Sequence, residues 1–393
     1  MQYYPQIDQH RAAVSRILRD GGTPLFLGDR SILENRYHEL QASMQRHWGR
    51  SIVGYSFKTN YLAAESGVFQ ALGAWAEVVS GREYELAKRL GYPGSQIILN
   101  GPHKPDSLLH TASRDGALIN VNDQNELERL IGIARVEDLT PRVGLRVSSN
   151  LPRLGHSRFG FSLENGEAIT ALRTLADAPA LQLQGLHTHA YGDTDDPEIY
   201  RVAADRMGRF AQQHIPGYEQ KIRFVDVGGG YPAHSPKPKS RTEWAPREID
   251  AYVATVADAL RSYFDSSDKG PCLVMEPGRY LTCDGILLAT QVLHTLERDG
   301  RQVINCDGSI SMIPLTHYCP QIIKAYSPTI EPKTKDEVPT TIYGSTCREN
   351  DLLYQGDFPR VARGDYLLHF AAGAYNSSLS PDFIFASPRM ELF

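Results

Sequence analysis

The chain has 393 residues, 41% of them hydrophobic, enough for one large domain and a smaller one. Lys and Arg number 41 against 46 Asp and Glu, a net charge of −5 with no basic block. This excludes nucleic acid or an anionic membrane as the main partner and points to a small molecule.

In chain order, Met1 to Asp20 carry charges and Pro5 where a secretory signal would need an apolar stretch, and no run approaches a membrane span. The five cysteines, Cys272, Cys283, Cys306, Cys319 and Cys347, are odd in number and form no C-x-x-C pair, which argues against a disulfide scaffold or a zinc ribbon. A cytoplasmic protein is expected. Pro24 to Gly28 reads as a strand. Eight short apolar or β-branched runs follow: Ser51 to Phe57, Trp75 to Val79, Gln96 to Leu99, Leu118 to Val121, Arg142 to Val147, Leu183 to Thr188, Ile222 to Val227 and Cys272 to Met275. Between them lie segments with helical spacing such as Leu62 to Leu72, Arg82 to Arg89, Gln124 to Ala134, Gly166 to Ala176, Ile199 to Gln213 and Arg247 to Phe264. Parallel strands need crossover helices, so this alternation predicts an α/β fold, a (β/α)8 TIM barrel over residues 30–280. Alternating runs such as Thr341 to Tyr343 and Tyr366 to Phe370 then predict a mostly antiparallel C-terminal β domain over 281–393, onto which residues 1–29 are expected to pair. Ala233 to Thr242, rich in Pro, Ser and Lys, reads as an exposed loop insertion.

Catalytic groups of such barrels sit at the C-terminal ends of the strands. There the chain offers Lys58 and Asn60, Glu77 and Ser80, Asn100, Asn122, Arg146, His187 and His189, Asp226 with Gly228 to Gly230, and Glu276 with Gly278 and Arg279. Lys58 follows an apolar run, where desolvation lowers a lysine pKa and suits it to a Schiff base; a surface loop lysine is the alternative. The three glycines of VDVGGGYP let backbone N–H groups approach a phosphate, although tight turns use glycines too. In EPGR, Arg279 can close on that phosphate and Glu276 can ionise against a protonated ring nitrogen. Together these residues suit a phosphorylated aldehyde cofactor. The H-x-H of GLHTHAYGD permits a rival, a metal-dependent hydrolase, but its further ligands would have to come from Glu77, Asp226 and Glu276, and His187 reads better as a core histidine. Cys347 in GSTCRENDLL lies among turn formers and charges, where a thiol can be exposed and exchange a proton, or it is a small buried hydrophobe.

The ordered set TPLF, YSFKTN, AEVVSGREYELA, IILNGPHKPDSLL, INVND, GLRV, SRFGFS, GLHTHAYGD, VDVGGGYP, EPGRY, GSTCRENDLL and GDYLLHFAAGAY resembles the fold-type III pyridoxal-phosphate decarboxylases. That group includes the barrel-type diaminopimelate, ornithine and arginine decarboxylases. The resemblance implies pyridoxal 5'-phosphate as cofactor, with Lys58 as its Schiff-base lysine, His189 stacked on the ring and Glu276 on the pyridine nitrogen. It further implies that Gly228, Gly229, Gly230, Gly278, Arg279 and Tyr375 cradle the phosphate, while Glu77, Ser80, Glu83 and Arg146 orient the lysine and ring substituents. Cys347 would cross the interface of a homodimer with shared active sites and, directly or through water, reprotonate the α-carbon after CO2 leaves.

The chain departs from that pattern in three places. After His189 it has Ala190, Tyr191, Gly192 and Asp193 where the family usually has H-x-G-S, so a phosphate-binding hydroxyl is missing or displaced. Arg348, followed by Glu349, holds the place of the acidic residue that receives a distal ammonium, and Ile313 replaces the arginine before a proline in diaminopimelate enzymes. Asp307 still matches a position that ornithine-type enzymes use for the distal amine. The expectation is a decarboxylase of an L-amino acid or amino-acid conjugate with an acidic or polar tail, as in siderophore or antibiotic biosynthesis. A diaminopimelate or ornithine-type decarboxylase, an amino-acid racemase and a catalytically dead relative that binds a partner are the alternatives.

Overall fold

The computed structural model describes residues 4–151, 155, 157–238, 245–267 and 269–393. Its strands are β1 (Leu25–Gly28), β2 (Ser51–Ser56), β3 (Trp75–Val78), β4 (Ile97–Leu99), β5 (Leu118–Val121), β6 (Arg142–Ser148), β7 (Phe161–Ser162), β8 (Gln182–His187), β9 (Phe224–Asp226) and β10 (Cys272–Met275). Each of the eight apolar runs forms a strand. All neighbours are parallel, β10 pairs with β2, and β5 with β6, so eight strands close into a barrel, with β7 beside the end of β6. Strands buried on both faces read as continuous apolar runs, which is why these were visible in the sequence. Inside the barrel, Phe224 packs with Ile98, Leu118, Cys272 and Val274, and its ring takes the space that side chains at Gly144 and Gly185 would need.

The helices are α1 (Arg11–Gly21), α2 (Arg30–His47), α3 (Ala63–Ala71), α4 (Gly81–Arg89), α5 (Asp106–Arg114), α6 (Gln124–Glu137), α7 (Glu167–Ala176), α8 (Pro197–His214), α9 (Tyr218–Lys221), α10 (Ile249–Leu260) and α11 (Arg279–Thr282). Both α2 and α5 escaped the sequence reading. In α2 the buried stripe of Leu33, Tyr37, Leu40 and Met44 is interrupted by Arg36 and Ser43, which are buried too. Arg36 pays for its burial with a 2.9 Å ion pair to Asp284, just after α11.

The second sheet contains β11 (Ile286–Arg298), β12 (Arg301–Cys306), β13 (Ile322–Tyr326), β14 (Pro332–Lys333), β15 (Glu337–Tyr343), β16 (Leu352–Pro359), β17 (Tyr366–Phe370) and β18 (Met390–Leu392). Its pairs are antiparallel except β12 with β15 and β1 with β18. Strand β11 pairs first with β1 and β17, shifts register between Val292 and His294, and continues against β12. Thus β1 belongs to this sheet although it precedes the barrel. No helix among the described residues is long and apolar enough to cross a membrane.

The segment Ala233 to Thr242 corrects the exposed-loop expectation. Ala233 is buried, residues 234–238 are half-buried, and 239–242 lie outside the described residues. Tyr4 donates a hydrogen bond to the His234 carbonyl, and Lys237 is paired with Asp193, so polar anchors draw a hydrophilic stretch inward.

His369 of β17 is fully buried, with Thr290 Oγ1 3.1 Å from its Nε2, and burial pushes its pKa down to about 3. An unfolded histidine takes its proton near pH ~6.5, whereas this one refuses it until about pH 3. Its stabilising contribution is therefore complete above the unfolded value and is lost as pH falls through this window, by roughly 1.4 kcal/mol per pH unit. We expect His369→Gln to flatten the decline in denaturant midpoint between about pH 7 and about pH 5. An unchanged pH slope would contradict this assignment.

Candidate active site

Lys58 sits in a single 3-10 turn, Phe57–Thr59, directly after β2. Its Nζ donates to Glu77 Oε2 at 2.5 Å and to Ser56 Oγ at 2.7 Å, and Ser56 Oγ donates to the same Glu77 oxygen at 2.6 Å. Glu77, on β3, is buried, and its other oxygen accepts from Asn100 Nδ2 at 3.0 Å. The same Asn100 amide reaches Glu276 Oε1 at 2.6 Å, while Asn120 Nδ2 donates to Asn100 Oδ1 at 2.9 Å and fixes which way it faces. Residues from β2 to β5 and from the end of β10 therefore form one hydrogen-bonded chain. The sequence put Asn100 at a strand end without a role, and Asn120 was missed. Their only signal is an amide at or near the end of an apolar strand.

Burial works against the Lys58 ammonium, but Glu77, with Tyr375 and Glu276, outweighs it and holds the pKa above its ordinary value. The lowered pKa expected from sequence is thus corrected: the barrel that desolvates Lys58 also brings Glu77 against it from the next strand. Burial, reinforced by Arg146 and Lys58, pushes His189 down to about 3, so its ring is neutral at neutral pH. Its Nδ1 accepts from the Gly229 amide at 3.2 Å.

His187, Asp226 and Glu276 present ligand atoms within 4.8 Å of one another, all buried. His187 Nε2 lies 3.4 Å from Glu276 Oε2 without hydrogen-bond alignment, and both its ring nitrogens lack partners among the described residues, so it is not a satisfied core histidine. Burial, then Glu276, raises Asp226 well above the ordinary carboxylate range. Burial also acts against ionised Glu276, but His187, Lys58 and a hydrogen bond from Asp226 keep it below that range. Of the two acids, Asp226 keeps the proton and Glu276 the charge. His189, the other histidine of the metal alternative, is not a member of this cluster.

The turn after β9 packs closely against the backbone that follows β8 and β10. A Cβ on Gly229 would run into the Glu276 carbonyl, and Gly230, at φ 93°, has Tyr191 O in the same position. Arg279 closes the turn from the start of α11, 5.1 Å from the Tyr375 ring centroid and with its Nε 3.5 Å from Asp193. Gly278 packs against Thr59, and the Tyr375 amide donates to the Thr59 carbonyl at 2.9 Å. A cavity of about 390 Å³ opens beside His189, lined by Arg146, Ser148, Arg158, Phe159 and Tyr191 among others. The Arg146 guanidinium lies 4.7 Å from the Phe159 ring centroid.

The remaining predicted residues are placed differently. Ser80 and Glu83 form a reciprocal cap of α4: Ser80 Oγ accepts from the Glu83 amide at 3.2 Å and Glu83 Oε2 from the Val79 amide at 2.8 Å. Asp307 has both oxygens committed, to the Gln291 amide at 2.7 Å and the Thr23 hydroxyl at 2.5 Å. Cys347 and Glu349 are exposed on the loop between β15 and β16, with half-buried Arg348 between them.

A lysine paired to a buried acid, an ionised acid that shares an amide donor with it, and a tight glycine turn beside an arginine suit an aldehyde cofactor with a basic ring nitrogen and a phosphate. This is the site of a pyridoxal-phosphate enzyme. Residues 32–283 match the pyridoxal-dependent decarboxylase family through its pyridoxal binding domain, and the chain belongs to that family of amino-acid decarboxylases. It is 26% identical over 373 residues to the diaminopimelate decarboxylase of Aquifex aeolicus, covering 91% of this chain and 83% of that one. It is 28% identical over 376 residues to the Deinococcus radiodurans enzyme of the same name, covering 94% and 89%. Among solved structures, diaminopimelate decarboxylase from M. jannaschii with L-lysine superposes at a TM-score of 0.84 with 22% identity, over 97% of this chain and 89% of that one. The lysine/ornithine decarboxylase of Vibrio vulnificus with putrescine gives 0.79 and 21%, over 98% of each. The residues present fit the cofactor: the glycine turn has no room for a Cβ, and His187 leaves two buried ring nitrogens without partners at the acid cluster.

If Glu276 must carry the charge and Asp226 the proton, Glu276→Gln should lower kcat at least about 100-fold, whereas Asp226→Asn, which still donates, should stay within about tenfold. Equal losses in steady-state decarboxylation would contradict the assignment.

Proposed function

We propose that this chain decarboxylates an L-amino acid, or a conjugate of one, whose distal end is acidic or strongly hydrogen-bonding. Arg348 carries the reading. Its guanidinium is half-buried and has no carboxylate partner among the described residues. Nε donates to Asn350 Oδ1 at 3.3 Å, Nη1 to Ser311 Oγ at 3.4 Å, and the group lies 5.9 Å from the Phe383 ring centroid. Asp351, the nearby acid, is spent on the Ile310 and Thr346 amides. A cation at this place repels a distal ammonium and pairs with a carboxylate, carboxamide or phosphate.

Pyridoxal phosphate, when bound, supplies the electron sink for the pair left behind as CO2 departs. Lys58 would hold the cofactor aldehyde until the substrate amine replaces it, Glu77 and Ser56 keeping its Nζ oriented. Glu276 would hold the ring-nitrogen proton, neutral His189 would cover one ring face, and Arg279 with the turn from Gly228 to Gly230, Gly278 and Tyr375 would hold the phosphate. Arg146 would orient ring substituents, and Cys347 would return the proton to the α-carbon. In this reading two copies share their sites. Cys347 is exposed, and Arg348 beside it meets Phe383 within an exposed apolar group of Leu379, Phe383, Ile384 and Phe385, as expected of a surface covered by a second copy.

A second reading is diaminopimelate itself, favoured by the names of the relatives; that substrate carries both a carboxylate and an ammonium at its far end. The test is CO2 release from a panel of acidic-tailed, neutral and dibasic amino acids by the parent enzyme and by Arg348→Glu. The variant should lose about 2 kcal/mol or more, some 30-fold in kcat/KM, on acidic-tailed substrates only. An unchanged KM would remove Arg348 from recognition, and fastest turnover of diaminopimelate would install the second reading.

A further inference from the structure

We infer that Lys237 is a ligand of the cofactor phosphate, acting beside Arg279, and that Asp193 holds the two cations at the phosphate end of the site. The inference rests on the reading that the glycine turn after β9 receives the phosphate.

The family's usual hydroxyl after the stacking histidine is replaced here by a carboxylate. By itself Asp193 would repel a phosphate. It does not stand by itself: both its oxygens accept from Lys237 Nζ at 2.8 Å, and Arg279 Nε lies 3.5 Å from Oδ1. The Asp193 backbone is tied to the same turn, its amide donating to the Gly230 carbonyl at 2.8 Å with φ at 66°. The three charged groups also border a cavity of about 130 Å³, along with Ser235, Cys283 and Asn376.

The charge count decides what this arrangement can receive. Among the described residues, two cations face one carboxylate, which leaves one positive charge, as an arginine beside a neutral hydroxyl would. Without Lys237 the pair Arg279 and Asp193 would be neutral, facing a group of charge about −2. The Lys237 side chain is also only 5% exposed, although it comes from a hydrophilic loop. Burying an ammonium there is unfavourable unless anions face it, and burial does lower its pKa against the pull of Asp193. A phosphate would add to Asp193, the anion that the described residues bring against it. Pro236 and Pro238 flank Lys237 and restrict its backbone, and the loop is pinned by Tyr4 at His234. The lysine is thus held in advance rather than recruited from solvent.

The test titrates apoprotein with pyridoxal phosphate and, separately, with pyridoxal, which lacks the phosphate, and follows absorbance. The parent should bind the phosphorylated form at least about 100-fold more tightly. Lys237→Met should lose about ten- to a hundredfold for pyridoxal phosphate and less than about twofold for pyridoxal, and Lys237→Arg should restore most of the loss. Asp193→Ser combined with Lys237→Met should bind pyridoxal phosphate more tightly than Lys237→Met alone, because the uncompensated carboxylate is gone. If Lys237→Met weakens both ligands equally, or neither, Lys237 only fastens the loop and the inference is overturned. If the parent itself fails to prefer the phosphorylated form, the placement of the phosphate at the glycine turn fails first.

Discussion

Two carboxylates buried inside a closed barrel set the terms for the rest of the site. Glu77 and Glu276 are buried, and one amide, Asn100 Nδ2, donates to both, at 3.0 and 2.6 Å. Charges in such an environment persist only when donors surround them. Each neighbour can be read as serving that demand. Asn120 turns the Asn100 amide toward the acids, Ser56 and Lys58 cover Glu77, and Asp226 takes the proton that would otherwise neutralise Glu276. This organisation differentiates two similar side chains. Glu77 is committed to the lysine, while Glu276, on the other side of β2, keeps its charge.

The β domain completes the mouth rather than standing apart from it. Asn60 Nδ2 donates to the Gly373 carbonyl at 3.0 Å, the Tyr375 amide donates to the Thr59 carbonyl, and the Gly373 amide donates to Cys283 at the end of α11. The segment after β17 therefore straps the turn that carries Lys58 and sets Tyr375 against Arg279. Because β1 pairs with β11, the chain enters through the second domain before it builds the barrel. Displacement of that sheet would move Tyr375 with it.

The barrel was legible because strands buried on both faces leave uninterrupted apolar runs, and the lysine, acids and glycines stood directly after them. Helix α2 was not legible, because Arg36 and Ser43 sit in its buried stripe and are satisfied by residues more than 200 positions away, Asp284 and Asp250. The loop from Ala233 looked exposed for the same reason: Lys237 is buried by a partner, Asp193, that composition does not reveal. The lysine pKa went the wrong way because a single strand shows desolvation but not the acid delivered by its neighbour. Asp307 matched a motif, yet the strand pairings bring it to Gln291 and Thr23, which take up its carboxylate. Sequence thus exposed what a strand contributes alone and concealed what depends on the residue across from it.

The account stands most directly on Lys58 as the residue that holds the cofactor aldehyde between the two acids. Reduction of the pyridoxal-phosphate-loaded protein with borohydride, followed by peptide mass mapping, locates that attachment. The account predicts the reduced cofactor on Lys58, with Lys104 and Lys237 unmodified. Stoichiometric modification of any other lysine, or none at all, would contradict it.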